Sequence, residues 1–478
     1  MQRLTGLDAS FLYLETPSSH MHVAGLMILD PSSVDGGITL ERVKEIYGQR
    51  LHLAPPFRRR LVDVPFGLHH PLWIEDPDFN IDYHIRGTAL PAPGSPEQLA
   101  TLVGRLSALP LDRTRPLWEV WVIEGLDDGN VAVLSKVHHA AIDGAAGNEL
   151  TVALLDLTPE VALHEPETPW TPDRVPTDLE LLGYAANSLA RQPVRVVRAL
   201  NKTAGAALAV RRHNRQEPDL APPPSPFSAP RTSFNTALTS RRSFAYTTLS
   251  LPAAKAVKNA TFSTLNDVVL ALCSGALRRY LNQHDEQLDG PLVAMVPVSV
   301  RSDDEKDVLG NRVTAMFASL ATDIDDPIDR LKVIHECMAE VKVQHQAIGA
   351  DTLGDWAEFA APALVGTAAR LYSRTKMADH HRPLFNVTIS NVPGPSFPLY
   401  SIGATMVANY PVGPIMDGGG INLTVMSYLD RLDFGLLACP DVVEDVWTIA
   451  EGLEAALDEL IEATGVSTTD IAKFARSH

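Results

Sequence analysis

Long apolar runs are missing from this 478-residue chain. No unbroken stretch approaches the ~20 residues that span a bilayer, which argues against integral insertion. The opening MQRLTGLDAS lacks the basic and apolar regions of a signal peptide, so the chain is expected in the cytoplasm. Cysteine is scarce. Cys273, Cys337 and Cys439 are an odd number at wide spacing, which fits neither a disulfide framework nor a zinc site, and they are expected as small core residues. Basic residues are outnumbered, 40 Lys and Arg against 58 Asp and Glu, for a formal charge of −18. Nucleic acid is therefore not expected as the partner, because phosphate neutralisation dominates that affinity. No G-x-S-x-G elbow, P-loop or G-x-G-x-x-G occurs, which removes the usual seryl nucleophile of an α/β-hydrolase and two phosphate-binding loops. What remains is an ordinary globular composition, 45% hydrophobic and 21% charged.

Proline marks the clearest boundary: residues 161–230 hold 11 of the 36 prolines. Such a run favours extended, semi-rigid connection. Before it, strand-like GLMILD and VAVLSKVHH alternate with helical patterns at ERVKEIYGQRLHL and GNELTVALLDL. After it come a helix at NDVVLALCSGALRRYL, strands at PLVAMVPVSV and NVTISNV, and a closing helix at DVWTIAEGLEAALDELIEA. The expected organisation is an α/β domain over 1–160, a linker over 161–240 and a second α/β domain over 241–478. Within the linker, residues 181–215 hold no Asp or Glu but seven Lys or Arg, among them Arg191, Arg195 and Arg198. That local inversion of charge reads either as an amphipathic helix on an anionic lipid surface or as a solvated helix packed on its own domain.

The segment VAVLSKVHHAAIDGAAGNEL carries the chemistry. A strand over 131–139 ends in His138 and His139, and Asp143 and Gly144 follow before a helix begins. Side chains alternate across a strand, so the two imidazoles point to opposite faces and cannot chelate one metal together. One ring can then face a cleft while the other packs inward. Asp143 can cap the helix or hold an arginine, and Gly144 permits a tight turn. A cleft-facing neutral imidazole suits general-base work, taking a proton from a hydroxyl and returning it to a leaving group. With no seryl elbow, the chemistry left is direct transfer, with His139 activating an acceptor.

The spacing His138-His139-x-x-x-Asp143-Gly144 resembles the HHxxxDG signature of the CoA-dependent acyltransferase superfamily. LDASFLYLETP near the start, PLDRTRPLWEVWVIEGL at 110–126, TLNDVVLALCSGALRRYL at 264–281 and NVTISNVPGP at 386–395 narrow the resemblance. Together they look like the bacterial wax ester synthase/diacylglycerol acyltransferase family over nearly the whole chain. The resemblance implies two chloramphenicol-acetyltransferase-like domains with a channel between them. It implies that His139 is the base, His138 a supporting residue and Asp143 structural. It further implies an acyl-CoA co-substrate with diacylglycerol or a long-chain alcohol as acceptor, giving triacylglycerol or wax ester, with no metal or other cofactor.

Other candidates stay open between chemistry and architecture. Thr264 can cap a helix with Asp267, leaving the Asn266 amide in the first turn, free to reach a cleft or to serve plain first-turn chemistry. In NVTISNV the two-residue period puts Asn386, Thr388 and Ser390 on one face and Val387 and Ile389 on the other. That polar stripe faces either a channel, where a hydroxyl could support an oxyanion, or solvent as an edge strand. Glu15 either contacts an acceptor head group or sits at the surface, with surface expected. Pro116-Leu117-Trp118 is expected to be architectural. The glycines of DGGGINLTV either let backbone approach a pantetheine arm or form a turn. His69-His70 and His380-His381 lack a following Asp-Gly and are expected to be loop histidines. Two other functions remain: a condensation-type transferase using a carrier-protein donor, and a non-catalytic protein of membrane or lipid-droplet surfaces bound through residues 181–215.

Overall fold

The computed structural model of the chain describes residues 1–141, 154–161, 170–188, 224–225, 227–299, 313–348 and 362–475. Two six-stranded mixed sheets organise them. The first runs in the order 400–401, Ala404–Val412, His22–Asp30, Val131–His138, Trp118–Glu124, Ile85–Ala89. The second runs Val313–Ser319, Val293–Ser299, Val387–Val392, Ile421–Tyr428, Arg431–Ala438, Ser243–Ser250. A small third sheet joins Gln2–Arg3, Leu72–Glu75 and Arg59–Val62. The expected α/β class with two sheet-and-helix halves is what is found.

Each half has its own core. Helices Leu251–Thr261, Leu265–Gln283, Pro327–Ile348 and Val446–Thr464 cover one face of the second sheet, burying Val268, Leu272, Ile334, Ile449 and Leu453 with Val387 and Ile389 of the strand beneath. Two of these begin or end where local chemistry dictates. Thr264 and Asp267 form a reciprocal capping box at the start of Leu265–Gln283, as their spacing predicts. Helix Val446–Thr464 starts on Asp445 and stops at Gly465, whose φ of +65° suits a residue without Cβ. In the first half, helix Leu40–Arg50 packs Val43, Ile46 and Tyr47 on one face of the sheet, and helix Pro96–Ser107 packs Leu99 and Val103 on the other.

The two halves are joined by strand exchange. Strand Ala404–Val412 lies far along the chain yet pairs antiparallel with His22–Asp30 at the edge of the first sheet's centre. From there it reaches back: the Asn409 amide donates to Asp433 of the second sheet at 3.0 Å, and Pro411 lies so close to Gly435 that a Cβ there would sit 1.8 Å from the Pro411 carbonyl oxygen. All three cysteines are free and buried, as expected. Strand Val387–Val392 is not an edge: it sits between two parallel neighbours, which sets aside the solvent-edge reading of its polar stripe. Residues 178–188 are helical and pack Leu181 and Ala185 inward, while the rest of the basic 181–215 segment and most of GNELTVALLDL lie outside the described residues. Among the described residues no single helix is long and apolar enough to cross a membrane.

Candidate active site

The first sheet's register builds the site. Antiparallel pairing of His22–Asp30 with Val131–His138 sets His22 directly across from His138, so both side chains leave the same face. Their rings meet edge to face with centroids 5.6 Å apart. The end of the strand is clamped from both sides: the His138 amide donates to the Leu117 carbonyl at 2.9 Å, and the His139 amide donates to Met21 at 2.8 Å. Leu117 and Trp118 are fully buried, and the Trp118 indole donates to the Phe57 carbonyl and stacks on Phe57 and His84. The Pro-Leu-Trp segment is thus architecture that holds the histidine strand.

Helix Gly6–Leu14, capped by Thr5, supplies the rest. Phe11 and Glu15 are four residues apart and therefore project from one side of it. Glu15 is not a surface residue: its side chain is 15% exposed, and Oε1 lies 3.2 Å from His138 Nε2 and 3.5 Å from His22 Nε2. Oε2 accepts from Arg113, whose Nε is 2.8 Å away, and Arg113 also donates to the Leu12 carbonyl. Burial pushes the Glu15 carboxyl up. Hydrogen bonds from the His138 and His22 rings, together with the Arg113 guanidinium, outweigh it and hold the group well below the usual carboxylate range. Burial keeps His22 neutral, its pKa lowered to about 3.

His138 is committed to this network. Its Nδ1 accepts the Ala140 amide at 2.9 Å, which places the proton of the neutral ring on Nε2, the atom facing Glu15. Glu15, His22 and His138 bring three potential metal donors within 4.8 Å of one another. With Nδ1 of a neutral His138 accepting from Ala140, its Nε2 carries the proton and faces the Glu15 carboxylate. His139 takes the other direction. Half-buried at the strand's end, it stacks on Phe11 with ring centroids 4.1 Å apart and planes 10° from parallel. The two adjacent rings thus have different partners, Glu15 and the Ala140 amide for His138 and Phe11 for His139. Asp143 and Gly144 lie outside the described residues.

The remaining candidates belong to the second sheet. Val387 and Ile389 are in the core while Thr388 and Ser390 occupy the face away from the helices, as the period predicts. Thr388 is buried and Ser390 half-buried. Asn386 is fully occupied structurally, accepting from Val293 and donating to Pro230 and Asn235. Asn266 stands in the first helical turn, its Oδ1 3.5 Å from the Asn391 side-chain nitrogen near the end of the same strand. The glycine run is a packed turn. A Cβ on Gly420 would fall 2.6 Å from Val442 and 2.7 Å from the Phe234 carbonyl, so close packing requires glycine there. His70 is bonded to Tyr13, His69 to Ser188 and His381 to Tyr372, each by 2.6–2.7 Å contacts.

Comparison with known proteins agrees with this geometry. The profile of the wax ester synthase/diacylglycerol acyltransferase catalytic domain matches residues 4–269, and that of the WS/DGAT C-terminal domain matches 309–461. A Mycobacterium tuberculosis protein provisionally named a diacylglycerol O-acyltransferase is 40% identical over 466 residues, covering 97% of this chain and 91% of its own length. A second from that organism, provisionally named alike, is 37% identical and covers 98% and 97%. The solved wax ester synthase/diacylglycerol acyltransferase of Marinobacter aquaeolei VT8 superposes with a TM-score of 0.68 at 30% identity, covering 97% of this chain and all of that one. The first condensation domain of the calcium-dependent antibiotic synthetase, 15% identical, shares the fold at a TM-score of 0.56 over 98% of both chains.

Proposed function

The chain belongs to the wax ester synthase/diacylglycerol acyltransferase family, and on that premise we propose that it transfers an acyl group from acyl-CoA to the hydroxyl of diacylglycerol or a long-chain alcohol. His139 is the base. It takes the acceptor proton as the alkoxide oxygen bonds to the thioester carbonyl carbon; the tetrahedral intermediate collapses, the C–S bond breaks, and the proton leaves on the CoA thiol. No acyl-enzyme is needed, and acyl-CoA is a co-substrate rather than a cofactor.

The observation that carries the assignment is the division of labour at the strand end. His138 sits inside the Glu15 network, its Nδ1 accepting from the Ala140 amide and its Nε2 3.2 Å from Glu15, and His139 is half-buried and held flat by Phe11. A ring fixed in one plane can present a nitrogen repeatedly in the same place, which is what proton transfer in a transition state demands. The hydroxyls of Thr388 and Ser390, from the other half, are candidates for steadying the oxyanion, and Asn266 for a place in the substrate cleft. A soluble, peripherally associating protein fits this reading, since one substrate is water-soluble and the other resides in lipid.

The test of the reaction class uses purified full-length protein with a long-chain acyl-CoA and, in parallel, diacylglycerol and a long-chain alcohol. Thiol release and neutral-lipid product are followed together. Triacylglycerol or wax ester in step with thiol release supports the proposal and ranks the acceptors. Silence with both, from folded protein that turns over a carrier-protein thioester, would replace acyl-CoA as the donor.

A further inference from the structure

One face of the molecule leaves large apolar side chains in solvent around an apolar pocket. Helix Pro362–Arg374 packs its inner side on helix Gly6–Leu14, with Val365 in the cluster around Leu12 and Tyr13. Its outer side carries Leu364 and Leu371, two turns apart and 72% and 58% exposed. Phe66, on a turn that packs against the same helix, is 86% exposed. Its φ is +62°, a left-handed conformation that bulky L residues rarely adopt. Phe227, at φ +61°, repeats the pattern on the pocket's rim. Phe262, the left-handed cap of helix Leu251–Thr261, is equally exposed, so what sets this face apart is that Phe66, Leu364 and Leu371 gather on one surface beside basic side chains.

The pocket, about 470 Å³, is lined by Phe227, Tyr372, Leu384, Phe385 and Met416 among others. Asp417 on its wall accepts from Ser18 at 3.5 Å, and Ser18 lies in the same hairpin segment as Met21, whose carbonyl receives the His139 amide. The pocket mouth is thus a short stretch of chain away from the histidines. The helix and the turn after it are locally basic. Between residues 362 and 384 stand Arg370, Arg374 and Lys376, with Arg382 paired to Asp289, and a single acid, Asp379, whose Oδ1 accepts from the Ala237 amide. This occurs in a chain of net charge −18.

We propose that this face, centred on Phe66, Leu364 and Leu371 and flanked by Arg370, Arg374 and Lys376, docks the protein on an anionic phospholipid surface. The apolar tips enter the acyl boundary while the guanidinium and ammonium groups meet the headgroup phosphates. The pocket mouth then opens toward the lipid, so that an aliphatic chain can pass inward without crossing water. Only that last role rests on the acyltransferase reading; docking itself does not. The basic 181–215 segment is not needed for it.

The experiment is co-sedimentation of the full-length protein with phosphatidylcholine vesicles made with and without phosphatidylglycerol. Wild type should bind the anionic vesicles and release with rising salt. The combined Phe66→Ser, Leu364→Ser and Leu371→Ser variant should bind about tenfold more weakly or worse. Replacing Arg370, Arg374 and Lys376 by Gln should cost about fivefold per charge and flatten the salt dependence. A control with Phe262→Ser, an exposed aromatic at the end of helix Leu251–Thr261, should bind as wild type. Turnover of a medium-chain acyl-CoA with a short soluble alcohol should stay within about twofold in the serine variant, showing that the fold and site survive. Unchanged binding of the serine variant, equal weakening of the control, or equal binding to vesicles lacking phosphatidylglycerol would each overturn the proposal. So would a serine variant that loses self-association in place of vesicle binding, which would assign the face to a second copy. A protein that binds as described yet turns over no acyl-CoA would leave the docking face standing and remove the transferase reading instead.

Discussion

Glu15 and Phe11 show how much of the site depends on side chains that never meet the reaction directly. Glu15 steadies His138, and through the Leu117 and Met21 clamps the strand end carries His139. Glu15→Gln keeps the shape but leaves Arg113 and His138 facing a neutral amide. We expect a stability loss of about 2 kcal/mol, the usual scale for a charged hydrogen bond, and a kcat lowered about tenfold with KM little changed. Urea melts and steady-state kinetics on the same preparation decide it; an unaltered kcat would detach Glu15 from the base. Phe11→Leu removes the stacking plane but keeps the apolar volume, and should lower kcat while Phe11→Tyr largely restores it. The histidine pair was legible because alternation along a strand is local information. Glu15 stood out but is expected at the surface, and nothing local marks Phe11, His22 or Arg113, since their meeting depends on strand register and on how one helix lies over the sheet. The four-residue spacing of Phe11 and Glu15 was the signal that could have marked them as a pair facing one target.

Among the elements, the strands and capped helices were readable wherever one face is buried, and Val387 and Ile389 enter the core under the helices as the two-residue period predicts. What no local pattern announces is that Ala404–Val412 joins the first sheet, because strand pairing across most of a chain leaves no mark in composition or periodicity. That strand fastens the halves through Asn409 to Asp433 and the close approach of Pro411 to Gly435. Gly435→Ala would set a methyl against a backbone carbonyl that cannot swing aside, and should destabilise by about 3 kcal/mol. Calorimetry would show it; a melting temperature equal to wild type would mean the halves are not held together at that crossing. The glycine run near Gly420 had two open readings, and the packing of Val442 and Phe234 selects the turn.

At the scale of the whole molecule, acid should be the solvent condition to which the fold responds first. Burial lowers the pKa of His22 to about 3 and of His84 to about 4, and it lowers that of His20 as well. The unfolded chain therefore binds protons these rings refuse in the native state. Their contribution is full above the ordinary histidine pKa of about 6.5 and is lost as pH falls toward the folded values. Glu15, held below the carboxylate range, adds a second loss at more acid pH. Stability measured by denaturant melts should decline from about pH 6.5 downward, and His22→Gln should flatten the upper part of that decline. A profile flat to pH 4 would contradict the burial of these rings. The family assignment, the two sheets and the histidine pair fit one account, in which His139 moves the acceptor proton. The most direct test is the rate of long-chain acyl-CoA transfer by His139→Ala, with circular dichroism and melting temperature matched to wild type. The account predicts a fall of about 10²- to 10⁴-fold; a folded variant that keeps most of its activity would contradict it.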